Sequence, residues 1–323
     1  MKKLAIGIDI GGTNTNFAFV EASGKIYFPD KILTYKYENE KIFFENLYKK
    51  INENLKKINF DFEIIALSFG VPFVNFYSSE VSFSANLKWK AKVNVKNIFK
   101  KYFPHLPIFV INDAKASALG EMFYGGAKDM KDFISITIGT GLGSGIVSNG
   151  KLIHGKGGFA GEFGHIIVDN KNRICNCGRK DCLETYVSNA GIKKTALELM
   201  QKNNEISILR EIPFEKLNAE IIAKSALEGD KIAIKTFEIT GKYLGKNLAN
   251  LVAILHPEEI FLSGGISKSG DLILKPTKKH MKINLLKIFK NSLKLSFSRL
   301  KNNEAAILGA VALFFFNKQI INN

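Results

Sequence analysis

Two stretches of the chain, about 130 residues apart, share one pattern of apolar and polar positions. In the first, the apolar runs LAIGIDI and FAFVEA flank GGTNTN, which predicts a β-hairpin with a glycine turn, and KIYFPDKIL is a candidate third strand. The second, DFISITIGTGLGSGIVSNG, again predicts a strand, a glycine-rich turn and a strand. The repeat indicates two lobes of similar design, each offering a glycine hairpin to a shared cleft.

The other apolar runs predict a mixture of helices and strands. Helical periodicity is present in ENEKIFFENLYKKINENLKKI and VNVKNIFKKYF, and it dominates from about residue 188 to residue 255. Buried strands are predicted for EIIALSFGVP, PIFVIND, EEIFLSGGIS and LKLSFSRL, while AKASALGEMFYGG predicts a helix that glycines end. EAAILGAVALFFF predicts a final apolar helix. The pattern is that of an α/β protein.

Composition narrows the class of protein. A chain of 323 residues with 46% hydrophobic residues is long enough for two domains, or for one two-lobed unit with a sizeable core. Its longest apolar run, AILGAVALFFF, is too short to span a bilayer. The start MKKLAIGID resembles a signal peptide, but Asp9 interrupts the apolar stretch. We therefore expect a cytoplasmic protein without a membrane partner.

The net charge of +16 raises the question of nucleic-acid binding. The lysines are spread over segments with apolar residues at helical spacing, such as KKINENLKKI and KKHMKINLLKIFK, and form no Arg-rich stripe. This distribution favours solvated helix faces, so no nucleic-acid partner is expected. A basic surface would still attract an anionic substrate.

Three stretches carry polar groups where strands end. Asp9 precedes Gly11 and Gly12, whose backbone N–H groups can approach a phosphate, and Thr13 and Thr15 add hydroxyls. The carboxylate of Asp9 suits such a site if it holds a hydrated Mg²⁺, although a plain hairpin turn would also use these glycines. In ITIGTGLGSGIV, Thr140 is a second candidate phosphate donor. Asn112 and Asp113 lie between a strand and a helix, where α/β sheets bind ligands and where Asp113 could equally cap the helix.

The three cysteines of the chain lie within eight positions, in CNCGRKDCLETY. Their odd number argues against a disulfide framework, and the absence of a CxxC pair argues against a redox site. With His165, ten positions before Cys175, they form a Cys₃His set that matches tetrahedral zinc. Four protein ligands would close the site, so the zinc would be structural. The predicted ligands are His165, Cys175, Cys177 and Cys182.

Five stretches, in chain order, resemble the motifs of the ROK family of sugar kinases and sugar-responsive repressors. They are DIGGTNTNFA, INDAKASALGE, ITIGTGLGSGIV, GEFGH with CNCGRKDCLE, and FLSGGIS. The resemblance implies an actin-like, ribonuclease-H-like ATPase fold, in which two α/β lobes close on a cleft and one carries a small zinc-binding insert. It places the small lobe at residues 1–113 plus a C-terminal helix at about 304–323, and the large lobe at 114–303 with the zinc site at 165–182.

The resemblance also implies roles for individual residues. Asp113 would be the catalytic base, accepting the proton of the sugar hydroxyl that attacks the γ-phosphate of ATP. The sugar would be held by Asn86, Asn112, Glu162, His165 and Glu184. The phosphates and Mg²⁺ would be held by Asp9, Gly11, Gly12, Thr13, Thr140 and Gly141, and Gly264 and Gly265 would pack near the adenosine.

Two residues depart from the family pattern. Asp181 stands where the family usually has a glycine in a tight turn, which aspartate tolerates fairly well, so zinc binding should survive. Phe73 stands after Pro72 where relatives often have glycine, and could reshape the sugar pocket.

The resemblance leaves kinase and regulator as alternatives. The repressors carry an N-terminal DNA-binding helix-turn-helix, and the eight residues before Asp9 leave no room for one, so we expect an ATP-dependent hexose kinase that forms a sugar 6-phosphate. AGEFGH resembles glucokinase and N-acetylhexosamine kinase sequences, which favours glucose over N-acetylmannosamine or N-acetylglucosamine. A sugar-binding protein without turnover is a further alternative. The resemblance also implies a homodimer.

Overall fold

The computed structural model describes residues 1–81, 87, 89, 92–202, 204–290, 292–301 and 304–316. The chain divides into two compact units. Unit 1 comprises Met1–Lys131, Gly145–Gly161 and Ser298–Asn323, and unit 2 comprises Asp132–Ser144 and Glu162–Phe297. Residues 114–131 and 145–161, which the resemblance placed in the large lobe, thus belong to unit 1 in this division.

The described residues form the following strands and helices, given in chain order within each type. The strands are β1 (Lys2–Ile10), β2 (Thr15–Val20), β3 (Ile26–Ile32), β4 (Phe62–Gly70), β5 (Glu80–Val81), β6 (Val93–Asn94), β7 (Ile108–Ile111), β8 (Phe133–Ile138), β9 (Leu142–Ser148), β10 (Lys151–Leu152), β11 (Glu259–Ser263) and β12 (Lys294–Phe297). The helices are α1 (Glu40–Leu55), α2 (Val95–Lys100), α3 (Asp113–Tyr124), α4 (Glu184–Val187), α5 (Asn189–Lys202), α6 (Ala219–Leu227), α7 (Lys231–Leu255), α8 (Asp271–Asn284) and α9 (Ala305–Phe315).

Two five-stranded sheets have the same topology. The strand order is β3-β2-β1-β4-β7 in one and β10-β9-β8-β11-β12 in the other. In each sheet, three strands that are consecutive in sequence lie side by side, and two further strands are added in parallel at one edge. The repeat of the hydrophobic pattern therefore corresponds to a real repeat of structure, as the two glycine-turn hairpins predicted.

Helices cover both faces of the sheet in unit 1, because successive side chains of β1 point to opposite faces. Leu4, Ile6 and Ile8 are fully buried in a cluster with aromatic residues of α1. The opposite face carries the small residues Ala5 and Gly7, against which α9 packs. Small side chains on this face let the helix lie close to the strand.

The final helix α9 packs on the N-terminal strands, as the family resemblance implied. It contacts β1, β2, β4 and β7, and lies against α3. The crossing of α3 and α9 is very close, because a side chain at Gly309 would collide with the backbone of Ala116 and one at Gly120 with that of Ala305. These glycines thus fix the position of α3, whose first residue is Asp113.

Unit 2 is built around the 25-residue helix α7, which packs along α8. Gly241 and Gly245 of α7 face Pro276 and Thr277 of α8 closely enough that side chains would not fit there. Among the described residues, none of the helices combines the length and the hydropathy needed to cross a bilayer.

The segment VNVKNIFKKYF differs from the prediction of a helix throughout. Val93 and Asn94 form the short strand β6, and the helix α2 begins only at Val95. The side chain of Asn94 accepts a hydrogen bond from the backbone N–H of Asn97, which caps the helix. The cap, which apolar periodicity does not reveal, sets the start of the helix.

Candidate active site and metal centre

Asp9 and Asp113 lie on either side of Gly70 in unit 1. Asp9 precedes the last residue of β1, which pairs in parallel with β4, and Asp9 lies opposite Gly70 in that pairing. A Cβ atom at Gly70 would be 3.5 Å from the Cα of Asp113 and 3.7 Å from Oδ1 of Asp9. The sheet therefore brings together two carboxylates that are far apart in sequence, at the carboxyl ends of its strands.

Asn112, not Asp113, caps helix α3. Oδ1 of Asn112 accepts hydrogen bonds from the backbone N–H groups of Ala114 and Lys115, each at 3.1 Å. Asp113 is the first helical residue, and its Oδ1 accepts from the N–H of Ala114 at 2.9 Å. The alternative that Asp113 is merely the cap is therefore wrong, since its neighbour performs that role.

Both carboxyl groups titrate above their ordinary range. Burial and, after it, the charge of Asp113 raise the pKa of Asp9 to about 7, while a hydrogen bond with Asn16 acts in the opposite direction. Burial also raises the pKa of Asp113, against hydrogen bonds from the N–H of Ala114 and from Asn112. Both residues keep some accessible surface although protein atoms surround the carboxyl groups. Such a pair fits a divalent cation, which would relieve the repulsion.

The first glycine turn connects β1 to β2. The N–H of Gly11 donates to the carbonyl of Asn14 at 2.9 Å, and Gly12 and Thr13 lie between them, with Thr13 exposed. Oδ1 of Asn14 is buried without a hydrogen-bond partner among the described residues, which leaves an acceptor for a ligand or a hydrated ion. Thr15 is fully buried and its hydroxyl contacts that of Thr34 at 2.8 Å, so, contrary to the expectation, it is not a phosphate donor.

The second glycine turn connects β8 to β9 in unit 2. Gly139 donates its N–H to the carbonyl of Gly141 at 3.0 Å, and Thr140 between them is exposed. The next residue, Leu142, donates its N–H to Oε2 of Glu184 at 2.9 Å. Glu184 thus connects this turn to the start of α4.

Gly264 and Gly265 follow β11, beside the end of β8. Gly264 has φ +91°, and a side chain there would collide with the carbonyl of Ile138. A Cβ at Gly265 would meet no atom within 4 Å. The chain is therefore tightly packed at Gly264 and open at Gly265, which suits the approach of a flat ligand.

The predicted zinc ligands converge in unit 2. The ligand atoms of His165, Cys175, Cys177 and Cys182 all lie within 4.8 Å of one another. Sγ of Cys177 is 3.6 Å from Sγ of Cys182, and Sγ of Cys175 is 3.7 Å from Nδ1 of His165. Zn–S bonds of about 2.3 Å in a tetrahedron place sulfur atoms about 3.8 Å apart. All three cysteines are free, so this cluster is consistent with a zinc site.

The imidazole of His165 has one nitrogen toward the cysteines and one toward a carboxylate. Nδ1 faces Cys175, while Nε2 is 3.9 Å from Oε2 of Glu162. Glu184, two residues after Cys182, has its Oε1 3.8 Å from Sγ of Cys175. The cluster therefore holds two acidic side chains at its border.

Both departures from the family pattern have a left-handed backbone. Phe73 has φ +51° and Asp181 has φ +57°. Glycine adopts this conformation without cost, whereas a bulky residue such as phenylalanine rarely does. The tight turn expected at Asp181 is confirmed, and the same conformation is found at Phe73.

Sequence reasoning did not select Lys115, which is buried in α3 two residues after Asp113. Its Nζ donates to the carbonyl of Gly158 at 2.7 Å and lies near His154, whose pKa is lowered to about 4 by burial and by the charge of Lys115. His154 stacks on Phe76 with ring centroids 3.9 Å apart. The side chains thus fix the loop that leads to Glu162. Lysines in helices are usually solvated, so the residue type alone gives no signal of this burial. Asn86, one of the predicted sugar ligands, lies outside the residues that the structure describes.

Comparison with known proteins identifies the family to which the chain belongs. The sequence profile of the ROK family matches residues 5–316. The chain belongs to the ROK family. It is 33% identical over 312 residues to a glucokinase of Halalkalibacterium halodurans, covering 94% of this chain and 92% of the relative. It is 28% identical over 310 residues to a xylose repressor of Caldicellulosiruptor bescii, covering 95% of this chain and 77% of the relative.

The ROK fold is also found by comparison with solved structures. A ROK family glucokinase from Streptomyces griseus, solved in complex with glucose and AMPPNP, superposes with a TM-score of 0.81 at 28% identity. The alignment covers 95% of this chain and 98% of that chain. The two-lobed α/β ROK sugar kinase fold is therefore confirmed. Because the family relatives include both glucokinases and repressors, the reaction and its substrate require a separate argument.

Proposed function

We propose that the protein is an ATP-dependent hexose kinase that phosphorylates the 6-hydroxyl of glucose. The observation that carries the proposal is the pair of carboxylates of Asp9 and Asp113, which protein atoms surround and which both lie next to Gly70. A protein that only senses a sugar needs hydrogen-bonding groups, but it does not need a second acidic group that repels the first. Phosphoryl transfer needs both a cation site and a base.

Asp113 is the base in this proposal. Burial raises the pKa of Asp113, which makes the carboxylate a better acceptor for the proton of the sugar hydroxyl as that oxygen attacks the γ-phosphate. Asn112 and the N–H of Ala114 fix the direction of the carboxylate. Positioning supplies most of the catalysis in such reactions, so this rigid start of α3 supports the role.

The glycine turns are the proposed nucleotide side of the site. Their backbone N–H groups and the hydroxyls of Thr13 and Thr140 suit phosphate oxygens, and Asp9 suits a hydrated Mg²⁺. When bound, Mg²⁺ would neutralise charge on the phosphates. The proposed nucleotide-binding residues are Asp9, Gly11, Gly12, Thr13, Thr140 and Gly141 for the phosphates and Gly264 and Gly265 for the adenosine.

The sugar side is proposed from the family resemblance together with the metal cluster. Glu162 and Glu184 border the Cys₃His set, and His165 belongs to it. A zinc ion there would do no chemistry on the sugar, since four protein ligands leave no open position. It would instead fix the segments that carry these side chains. The proposed sugar ligands are Asn86, Asn112, Glu162, His165 and Glu184.

A coupled assay of ADP release with a panel of hexoses tests the proposal. We expect the highest kcat/KM with glucose, and N-acetylmannosamine and N-acetylglucosamine are the alternative substrates of the same class. Fructose and galactose serve as comparison sugars. If ADP release stays at the background rate with every sugar although sugars bind, the protein is a binding protein without turnover and the kinase proposal is wrong.

A sugar-responsive regulator is the second candidate, because a xylose repressor is among the relatives and the net charge is +16. A regulator should retain DNA on a filter in a sequence-selective and salt-sensitive manner, and a sugar should release that DNA. A filter-binding assay on the same protein preparation separates the two functions. The homodimer implied by the resemblance stays a prediction.

The raised pKa of Asp9 predicts how pH and magnesium act on stability. The folded chain holds a proton on Asp9 up to about pH 7, whereas the unfolded chain releases it near pH 3.8, the ordinary pKa of an aspartate side chain. Between these values the folded state binds more protons, so this group lowers the free energy of unfolding of the metal-free protein as pH rises. Mg²⁺ competes with the proton, so we expect MgCl₂ to raise Tm more at about pH 8 than at about pH 5.5, by about 2 °C or more.

Differential scanning calorimetry with and without MgCl₂ provides the measurement. Asp9→Asn removes the titrating group, so the variant should lose both the magnesium effect and its dependence on pH. Comparing samples with and without MgCl₂ at each pH cancels the titration of groups that magnesium does not contact, so the difference reports on the cation site, Asp9 and its neighbour Asp113. An equal magnesium effect at both pH values in the wild type would contradict this role for Asp9.

A further inference from the structure

Asp181 joins the segments on both sides of the cysteine cluster. Its carboxylate accepts hydrogen bonds from the backbone N–H groups of Asn172 at 2.8 Å and Arg173 at 3.0 Å, upstream of Cys175. It also accepts from the hydroxyl of Tyr186 at 2.5 Å, downstream of Cys182. The residue is 4% exposed. One buried carboxylate thus links three positions that flank the ligand cysteines.

The backbone reinforces the same connection. The N–H of Asp181 donates to the carbonyl of Arg173 at 2.7 Å, and the N–H of Val168 donates to the carbonyl of Asp181 at 2.9 Å. Arg173 lies two residues before Cys175, and Asp181 directly precedes Cys182. The hydrogen bonds of Asp181 therefore act on the relative position of these two thiols.

The partners of Asp181 are themselves anchored to helices. Arg173, 2% exposed, pairs with Glu198 of α5 at 2.7 Å and lies over the ring of Tyr186, 4.2 Å from its centroid. Tyr186 stacks on Tyr243 of α7, with ring centroids 4.1 Å apart. Since both partners are fixed, the carboxylate ties the cysteine loop to the core of unit 2.

We propose that Asp181 is a positioning residue for the metal cluster, which its hydrogen bonds hold together so that the metal leaves slowly. The inference rests on the proposed zinc site. A left-handed backbone is unfavourable for a residue with a Cβ atom, so aspartate without useful contacts would be a worse choice here than glycine. Three hydrogen bonds to a charged group offset that penalty, because such bonds are among the stronger ones in proteins.

The rate of zinc release shows whether Asp181 positions the zinc ligands or is only tolerated in the left-handed turn. Zinc-loaded full-length protein is mixed with an excess of a chromophoric chelator, and release is followed by absorbance for wild type, Asp181→Gly and Asp181→Asn. We expect Asp181→Gly to release zinc about tenfold faster or more. Asp181→Asn should be intermediate, because it keeps an acceptor oxygen but places an amide near one of the N–H donors. If the residue is only tolerated, glycine relaxes the backbone and release is equal or slower, which overturns the proposal.

Two further variants control for charge and for folding. Asp271→Asn removes an exposed carboxylate of unit 2 that pairs with Lys275, and zinc release should stay within about twofold of wild type. Tyr186→Phe removes one donor and should speed release in the wild type but not in the Asp181→Gly background. An equal effect of Tyr186→Phe in both backgrounds would contradict the proposed contact. A wild type that binds no zinc would instead overturn the zinc site itself.

Discussion

Asp113→Asn is expected to lower kcat for glucose by about 10²–10⁴-fold, the usual contribution of a positioned base. Asparagine has the shape of aspartate, and its oxygen can still accept the hydrogen bond from the N–H of Ala114. The amide cannot take up the proton of the sugar hydroxyl. The KM for glucose should change much less than kcat, because the base acts mainly in the transition state. Coupled ADP release over a range of glucose concentrations gives both constants.

Thermal stability shows whether Asp113→Asn loses activity because the base is gone or because the fold is damaged. Because burial raises the pKa of Asp113, a neutral amide there avoids the cost of a buried charge, and Tm of Asp113→Asn should equal or exceed that of the wild type. Asp271→Asn is a matched control, since Asp271 is also the first residue of a helix but is exposed and pairs with Lys275. Full turnover by Asp113→Asn would show that another group is the base.

Cys177→Ala is expected to lose zinc and to raise the KM for glucose together, by about 10-fold or more, with a smaller change in kcat. The thiolate of Cys177 is one of four candidate ligands whose atoms lie within 4.8 Å of one another, so its loss would open the proposed site. Glu162 and Glu184 border the cluster and would lose their fixed positions. The carboxylates of Asp9 and Asp113 belong to unit 1 and remain in place.

Metal content and sugar affinity are measured on the same protein sample. Zinc is quantified by atomic emission, and glucose binding by isothermal titration calorimetry. Asn176→Ala is the matched control, because Asn176 is exposed in the same loop and supplies no ligand. Removal of zinc from the wild type with a chelator should reproduce the weaker binding. Loss of zinc with an unchanged KM would contradict the coupling between the metal and the sugar site.

Much of the fold was predictable because its signals are local. Alternation in LAIGIDI and helical periodicity in ENEKIFFENLYKKINENLKKI each predicted an element that the structure contains. The repeat of the glycine-turn hairpin predicted two lobes of similar design, and the described residues form two five-stranded sheets of the same topology. The starts of helices were harder to predict, because each depends on one capping side chain. Asn94 caps α2 through one hydrogen bond, and Asn112 caps α3 through two. The division into two units also depends on which segments pack together, and apolar periodicity does not show this.

The convergence of the Cys₃His set was predictable from sequence spacing, since few residue types bind zinc and three cysteines lie within eight positions. Lys115 was missed for the opposite reason. Its partner, the carbonyl of Gly158, is a backbone atom 43 residues away and leaves no mark in the residue pattern. A lysine in a helix is usually solvated, and only the packing of the loop from His154 to Gly158 buries this one.

The sequence alone determined many of the strands and helices, the glycine turns, the candidate ligand set for zinc and the identity of the acidic residues. Only the tertiary structure decided what those residues do to one another. The parallel pairing of β1 with β4 places Asp9 opposite Gly70, next to Asp113, and burial there raises the pKa of both carboxyl groups. In the same way, Asp181 was an unexplained replacement of glycine until folding brought Asn172, Arg173 and Tyr186 to its carboxylate. Composition and spacing are properties of the chain, whereas desolvation and hydrogen bonding depend on neighbours that only the fold supplies.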